Sequence, residues 1–494
     1  MIPSLCVTVT ASTTAELRKR RDAVSGADLV ELRLDCVSDP DVAGALKDRS
    51  IPVIVTCRPA WEGGSFAGSE EERKRVLGDA LAAGAEYVDI EARAGFDDVI
   101  ARTAGKRIVL SSHDFNGLPS DLDNCVRAMQ SKGTEVVKLA VRIHRLSECA
   151  RLLDVAARAD RDNMVLIGMG EHGLVTRALA SRFRSRWTYA GTLSGIGQMT
   201  PDSLISEFRF RKVDRSTSLY GVVGSPVSHS VSPAMHNAAF TATNIDGVYL
   251  PLPAVDVDDF VEFARAFDVR GASVTIPYKV ALLDRVGKKS ELSRRIGAIN
   301  TIQTTKDGWF GDNSDVSGFL QPLAGRLSLD GIRASLLGAG GSARAVAVAL
   351  ASKGARVTVH ARKPQSAAEV AALAGGTVGE WPPIPNSWDL LVNCTPIGMY
   401  PLVEDSPLPA RFVRSGTVYD LVYNPQQTRL LRDAAEAGCP TIGGLDMLVG
   451  QARQQFEWWT GICPPVEVMR DAAVRKLEEF SRPRVESLEV RTGK

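Results

Sequence analysis

One lysine stands inside an otherwise apolar run, Val136-Val137-Lys138-Leu139-Ala140-Val141. Lysines are rarely buried without a reason. Desolvation of a lysine favours its neutral amine, the form that attacks a ketone to give a Schiff base. In Ser111-Ser112-His113-Asp114, a histidine closes the preceding apolar run, where it can shuttle protons near neutral pH. Glu31 and Arg33 are two residues apart and share one face of a strand. Charges at alternate positions facing an interior need a polar ligand or each other. Arg58 with Glu62 before Gly63-Gly64, then Arg177, then Ser194 with Gln198, each follow a further apolar run.

A second set lies in the other half of the chain. Gly338-Ala339-Gly340-Gly341-Ser342-Ala343 follows the strand-like Ser335–Leu337 and opens a helical pattern. It fits the dinucleotide fingerprint, in which glycines permit a tight turn and the helix N-terminus favours a pyrophosphate. A site for NAD calls for Asp or Glu after the next strand, Arg356–His360; Ala361-Arg362-Lys363 stands there instead, with no acidic residue. Basic residues suit a 2′-phosphate, so NADPH is the expected cofactor.

These groups need elements to hold them. The first half has eight short runs rich in Val, Ile and Leu: Leu5–Thr10, Leu29–Asp35, Val53–Arg58, Tyr87–Glu91, Arg107–His113, Glu135–Val141, Met164–Gly170 and Trp187–Thr192. Helical spacing separates most of them, as in Thr14–Val24 and Glu70–Ala83. That alternation predicts an α/β chain whose first part is a parallel (β/α)8 barrel, with polar residues at the C-terminal ends of its strands. Phe210–Ser218 is polar and charged and reads as a linker, with Tyr220–Gly224, Val248–Pro251 and Ala272–Ile276 as the strands that follow it. Ser232 before Pro233 reads as a helix N-cap, which leaves Ser230 unexplained. The last dozen residues are charged and read as a frayed tail.

A chain of 494 residues calls for two or three domains. Its hydrophobic content of 44%, charged content of 24% and net charge of +1 are those of a globular protein and suggest neither nucleic acid nor a membrane surface as partner. No apolar run approaches the ~18 residues that span a bilayer, and the N-terminus lacks the pattern of a signal peptide. The eight cysteines show no Cys-x-x-Cys spacing and read as buried thiols of a cytoplasmic protein without a metal site.

The first set, Glu31-Leu32-Arg33-Leu34-Asp35, Arg58…Glu62-Gly63-Gly64, Ser112-His113-Asp114, Lys138, Arg177 and Ser194…Gln198, resembles the type I 3-dehydroquinate dehydratases in order and spacing over residues 1–212. The resemblance implies that Lys138 forms the imine, that His113 moves protons and that Glu62 orients His113. It also implies that Arg177 holds the substrate carboxylate while Glu31, Arg33, Arg58, Ser194 and Gln198 bind its oxygens, without a cofactor. From residue 218 to 482 the motifs Ser230…Ser232-Pro233, Thr275-Ile276-Pro277-Tyr278-Lys279, Asn300-Thr301, Asn313-Ser314-Asp315, Asn393-Cys394-Thr395-Pro396, Tyr423-Asn424-Pro425 and Gly444…Gln451 resemble shikimate dehydrogenase. That likeness implies a catalytic pair, Lys279 and Asp315. It further implies substrate contacts from Ser230, Ser232, Thr275, Asn300, Tyr423 and Gln451, and an NADP site formed by Gly338, Gly340, Gly341, Ser342, Ala343, Arg362, Lys363 and Thr395. Ser273 and Ser314 stand where that family often has Asn and Thr, and Ala361 and Lys363 replace the Asn and Thr that commonly flank Arg362.

The expected organisation is therefore a barrel over residues 1–212, a substrate-binding lobe over 218–320, a Rossmann lobe over 321–482 whose last helices return toward the substrate lobe, and a tail over 483–494. The fused order resembles that of the plant bifunctional enzymes, and the small-molecule partners would be 3-dehydroquinate, 3-dehydroshikimate and shikimate. An NAD-dependent quinate/shikimate dehydrogenase in the second half, or a ligand-sensing scaffold with decayed sites, are the alternatives; the second fits poorly with the retention of Lys138, Lys279 and Asp315.

Overall fold

The computed structural model describes residues 2–159, 162–385 and 387–481; the stretch read as a tail, 483–494, lies outside them. The chain packs as two units. One holds residues 2–217 together with Pro253–Asp268, and the other holds Ser218–Leu252 and residues 269–481.

Eight parallel strands form the centre of the first unit: β1 (Ser4–Val9), β2 (Leu29–Arg33), β3 (Val53–Thr56), β4 (Tyr87–Glu91), β5 (Ile108–Asp114), β6 (Val136–Arg142), β7 (Met164–Met169) and β8 (Trp187–Ala190). They run in the order β7-β6-β5-β4-β3-β2-β1-β8. A bridge from Met164 to Ser185 draws the two ends of the sheet together into a barrel. The strands are nearly continuous in apolar residues because helices cover one face and the barrel core the other. Polar residues break the run at Glu31, Thr56, Asp89, Glu91, Ser111 and Lys138, all buried. The helix Glu70–Ala82 starts on a Ser69–Glu72 capping box and buries Arg73 against Glu91 at the end of β4.

The stretch read as a polar linker is more ordered than its composition suggests. Phe210 and Val213 are buried, and Arg211 pairs with Asp28 at 2.6 Å. The charges of this stretch face outward while two apolar side chains hold it to the barrel. Sequence reading also placed 253–268 wholly with the second half, yet that segment packs in the first unit. Its helix Val257–Ala266 buries Phe260 and Phe263, and Arg182 donates to the Phe267 carbonyl at 2.7 Å.

The second unit has two sheets. The first, in the order β10-β9-β11-β13-β14-β12, is formed by β9 (Ser218–Gly224), β10 (Gly247–Pro253), β11 (Val269–Val274), β12 (Lys288–Lys289), β13 (Thr301–Thr305) and β14 (Gly308–Asp312). The second is wholly parallel: β15 (Arg333–Leu337), β16 (Arg356–His360), β17 (Thr377–Val378), β18 (Leu390–Asn393), β19 (Thr417–Asp420) and β20 (Thr441–Ile442), in the order β17-β16-β15-β18-β19-β20. Counted from β15, this is the 3-2-1-4-5-6 order of a Rossmann sheet, which opens a crevice between its first and fourth strands. Ser232 proves not to be an N-cap. Val231 takes that position, Ser232 and Pro233 are the first helical residues, and the Ser230 hydroxyl accepts from the Ser232 amide at 3.2 Å.

Backbone crowding where β7 turns into the helix Leu174–Ala178 gives a test. A Cβ on Gly173 would stand 2.4 Å from the carbonyl of Gly168, whereas one on Gly78, in the helix Glu70–Ala82, would meet nothing. Gly173→Ala is expected to cost the barrel about 1–3 kcal/mol. Gly78→Ala should be neutral or stabilise by up to about 1 kcal/mol. Denaturant unfolding followed by circular dichroism separates the two, and equal midpoints would rule out the crowding.

Candidate active sites

The barrel register sets one layer of polar groups side by side: Thr8 is level with Glu31, Thr56 with Asp89, and Ser111 with both Glu91 and Lys138. Lys138 does not sit in the apolar surroundings its own strand suggests. Its Nζ lies 3.1 Å from Asp89 and 3.3 Å from Glu31, and 4.3 Å from the centre of the Tyr189 ring. Glu31 also accepts from Thr8 at 2.9 Å and Thr56 at 3.0 Å. Burial opposes the charge on both carboxylates, yet Arg58 and Lys138 hold Asp89 below the usual range and Lys138 and Arg33 hold Glu31 below it.

Arg58, just past β3, is buried and spoken for: it meets Glu91 at 2.7 Å, Asp89 at 3.0 Å and Ser111 at 2.8 Å. Arg33 makes a fork with Asp35 at 2.9 and 2.7 Å rather than pairing with Glu31. At the end of β5, the His113 ring Nδ1 and amide both contact Glu62 Oε1, at 3.0 and 2.9 Å. Burial pushes the Glu62 carboxyl up to about 7, and burial with the nearby Arg58 and Lys138 cations drives His113 well below its ordinary value. The ring is therefore held as a neutral base beside the lysine.

Arg177 differs from Arg58. It is buried, donates to the carbonyls of Tyr189 at 3.2 Å and Ile196 at 3.1 Å, and has no ion pair among the described residues. Burial alone lowers it to about 10. Gln198 bonds Thr8 at 3.2 Å and so joins the Glu31 network. The side chain of Ser194 lies outside the described atoms. Asp89, Glu91, Ser111, Thr8 and Thr56 escaped sequence reading. Asp89 and Glu91 carry the same alternate spacing as Glu31 and Arg33 and were there to be found by it.

In the second unit, Lys279 Nζ lies 2.5 Å from Asp315 and 3.3 Å from the Ser342 hydroxyl. Asn300 fixes the other side of Asp315 at 2.8 Å and also reaches Gln451 at 2.8 Å and Ser314 at 2.9 Å. Ser230 and Tyr423 are neighbours that share a hydrogen bond, and Ser232 stands beside Tyr249 in the same core. Thr275 is held by its amide to the Val223 carbonyl at 2.9 Å.

The residues of the nucleotide fingerprint fit a dinucleotide. Gly338 follows β15 with φ +102°, and a Cβ there would press on Thr395 at 2.9 Å, beyond β18 across the crevice. Gly340 caps the helix Gly341–Ala351, which also carries Ser342 and Ala343, and nothing stands over its α-carbon. Arg362 and Trp381 line an open cleft of about 510 Å³, with Lys363 capping the next helix beside it. Glu380 lines the same cleft. The lining of this cleft thus includes an acidic residue from a later loop, which sequence spacing did not reveal. Cys463 is exposed, so not all eight cysteines are buried.

Fold and sites together define a chain of two α/β enzyme parts, a barrel built around a buried lysine and an oxidoreductase with a nucleotide crevice. The type I 3-dehydroquinase family matches residues 5–214, the shikimate dehydrogenase substrate binding domain matches 222–302, and the shikimate 5′-dehydrogenase C-terminal domain matches 444–474. The chloroplastic bifunctional 3-dehydroquinate dehydratase/shikimate dehydrogenase of Arabidopsis thaliana is 36% identical over 482 residues, covering 90% of this chain and 79% of that one. The NADP(+) shikimate dehydrogenase of Moorella thermoacetica is 43% identical over 278 residues, 52% of this chain and 93% of its own. A solved shikimate dehydrogenase in complex with NADP+ has a TM-score of 0.50 at 32% identity, covering 53% of this chain and 97% of that one. The chain belongs to the family of bifunctional 3-dehydroquinate dehydratase/shikimate dehydrogenases.

The raised Glu62 carboxyl makes a pH prediction. Between its ordinary value of 4.5 and about 7, the folded chain keeps a proton that the unfolded chain has released. The stability this group contributes is full below that window and is lost as pH rises through it. Glu62→Gln removes the titration and keeps an acceptor for the His113 amide. Its stability relative to the parent should rise between about pH 5 and 8; a difference that stays flat with pH would show that Glu62 is not held protonated.

Proposed function

We propose that the barrel dehydrates 3-dehydroquinate through an imine on Lys138 and that the second unit reduces 3-dehydroshikimate to shikimate with NADPH. The observation that carries this reading is a buried lysine between two buried carboxylates, one strand from a histidine–carboxylate pair. Lys138 must shed a proton before its amine attacks the ketone; His113, the neutral base of the site, can take that proton and return it to the departing hydroxyl. Loss of water gives the imine, an electron sink that acidifies the neighbouring C–H. His113, neutral and oriented by Glu62, removes that proton and returns it to the β-hydroxyl, which leaves as water to give the conjugated imine; hydrolysis by a second water then frees Lys138 and the enone. Arg177, a buried cation without a counter-ion among the described residues, is suited to the substrate carboxylate. Arg33, Ser194 and Gln198 are proposed around its hydroxyls, while Arg58 chiefly organises Asp89 and Glu91.

In the second unit NADPH, when bound, supplies the hydride. Lys279 donates the proton to the developing alkoxide, and Asp315, 2.5 Å away, holds it in place. Asn300 and Gln451, tied to Asp315, with Ser230, Ser232, Thr275 and Tyr423, are proposed to hold substrate hydroxyls and carboxylate. Gly338, Gly340, Gly341, Ser342, Ala343 and Thr395 would cradle the pyrophosphate, with Arg362 and Lys363 near the 2′-phosphate. We also place the protein in the cytoplasm, a reading supported by eight free thiols. No helix among the described residues is long and apolar enough to cross a membrane.

The two activities should separate by mutation. Lys138→Ala is expected to abolish dehydration and spare 3-dehydroshikimate reduction, and borohydride with 3-dehydroquinate should add mass at Lys138 in the parent. Lys279→Ala should lower dehydrogenase turnover about 10²–10⁴-fold and spare dehydration. A borohydride adduct on another lysine, or none, refutes the imine.

Cofactor choice is tested at Arg362, which lines one cleft with Glu380. Arg362→Ala should weaken NADPH by about 1.5–3 kcal/mol, the scale of a hydrogen bond to a charged group, and hardly change NADH. Titration of both cofactors decides it, since equal losses would mean that Arg362 does not read the phosphate.

A further inference from the structure

The loop after β6 holds two other loops of the dehydratase site in place. Arg142, the last residue of β6, donates to the Gly195 carbonyl at 3.1 Å, in the turn that precedes Gln198. His144 Nε2 meets the Asn116 carbonyl at 2.7 Å, in the loop that follows His113. What fixes the far end of this loop comes from 253–268, a segment within the match to the shikimate dehydrogenase substrate binding domain. Asp259 is fully buried, and its two carboxylate oxygens accept from the amides of Leu146 at 3.1 Å and Ser147 at 2.7 Å. Those amides open the short helix Leu146–Glu148, where main-chain donors have no partner of their own. Asp256 adds a fork from Arg145 at 3.2 and 2.9 Å, and the Asp256 side chain caps the Asp259 amide at 2.8 Å.

We propose that Asp259, which lies in dehydrogenase sequence, is a positioning residue of the dehydratase, acting through the Arg142–Ser147 loop on the loops that carry His113 and Gln198. The proposal rests on the dehydratase reading given above. Asp259 touches no reacting group. Removing its carboxylate strips three backbone amides, those of Leu146, Ser147 and Val255, of a shared acceptor and frees the loop that His144 and Arg142 use as their base. Lys138 lies four residues before the end of β6 and is held by its own strand and its carboxylates, so imine formation should survive where proton transfer suffers.

The test uses the full chain. In Asp259→Asn, the turnover of 3-dehydroquinate should fall about 3- to 30-fold, the span of couplings carried by packed networks. Borohydride trapping at Lys138 should persist, and reduction of 3-dehydroshikimate should stay within twofold of the parent. His144→Ala, at an exposed position that does not endanger folding, should give the same kind of loss. The double variant should lose less than the product of the two single losses, because both act through one loop. Asp259→Asn and His144→Ala both within twofold of the parent, or purely multiplicative losses, overturn the proposal. So does loss of imine trapping together with turnover, which would mean general damage to the barrel. A parent that neither dehydrates 3-dehydroquinate nor traps at Lys138 fails the dehydratase reading itself, a result distinct from these.

Discussion

A buried ammonium must find counter-charge within a few ångströms or give up its proton. Lys138 meets this requirement with carboxylates from two other strands, Glu31 on β2 and Asp89 on β4. Asp89 then needs more than one cation, and Arg58 supplies the second; Arg58 in turn recruits Glu91, and Glu91 recruits Arg73 from the covering helix. One buried charge thus propagates a chain of pairs from the barrel centre to its outer layer. Removing a single member leaves the next one uncompensated, which is costlier than the net worth of any pair. The same requirement is met more simply in the second unit, where Lys279 has Asp315 and Asp315 is held by Asn300.

Against this background the cations without carboxylate partners stand out. Arg177 is buried on main-chain carbonyls, which orient a guanidinium without neutralising it. Arg58, just past β3, and Arg177, in the helix that follows β7, are both buried arginines, yet their partners differ: one pairs with the protein's own acids and the other, among the described residues, meets main-chain carbonyls.

Sequence order and packing units differ here. Family boundaries place 253–268 in the dehydrogenase, while its helix packs with the barrel and its Asp259 caps a barrel helix. The short helix Leu146–Glu148 has main-chain donors to satisfy, and a buried carboxylate from any part of the chain meets that need.

The sequence by itself determined the elements and singled out the candidate reacting groups. Eight apolar runs separated by helical spacing specify a parallel barrel, because only strands covered on both faces are apolar throughout. Lys138, His113, Lys279 and the glycine fingerprint are legible because packing alone seldom places a polar residue in an apolar strand or a run of glycines at a strand–helix turn. Tertiary structure decided the partners. Whether Arg33 would turn to Glu31 or to Asp35, whether Lys138 would lie in oil or between carboxylates, and whether an acid would line the Arg362 cleft are settled only once the strands are packed together. Glu380 reaches the Arg362 cleft from beyond the next strand, and Asp259 reaches Leu146 across 113 residues. Local spacing carries no record of such pairings, because electrostatic and hydrogen-bond energies depend on distance in space and the chain sets that distance only once it has folded.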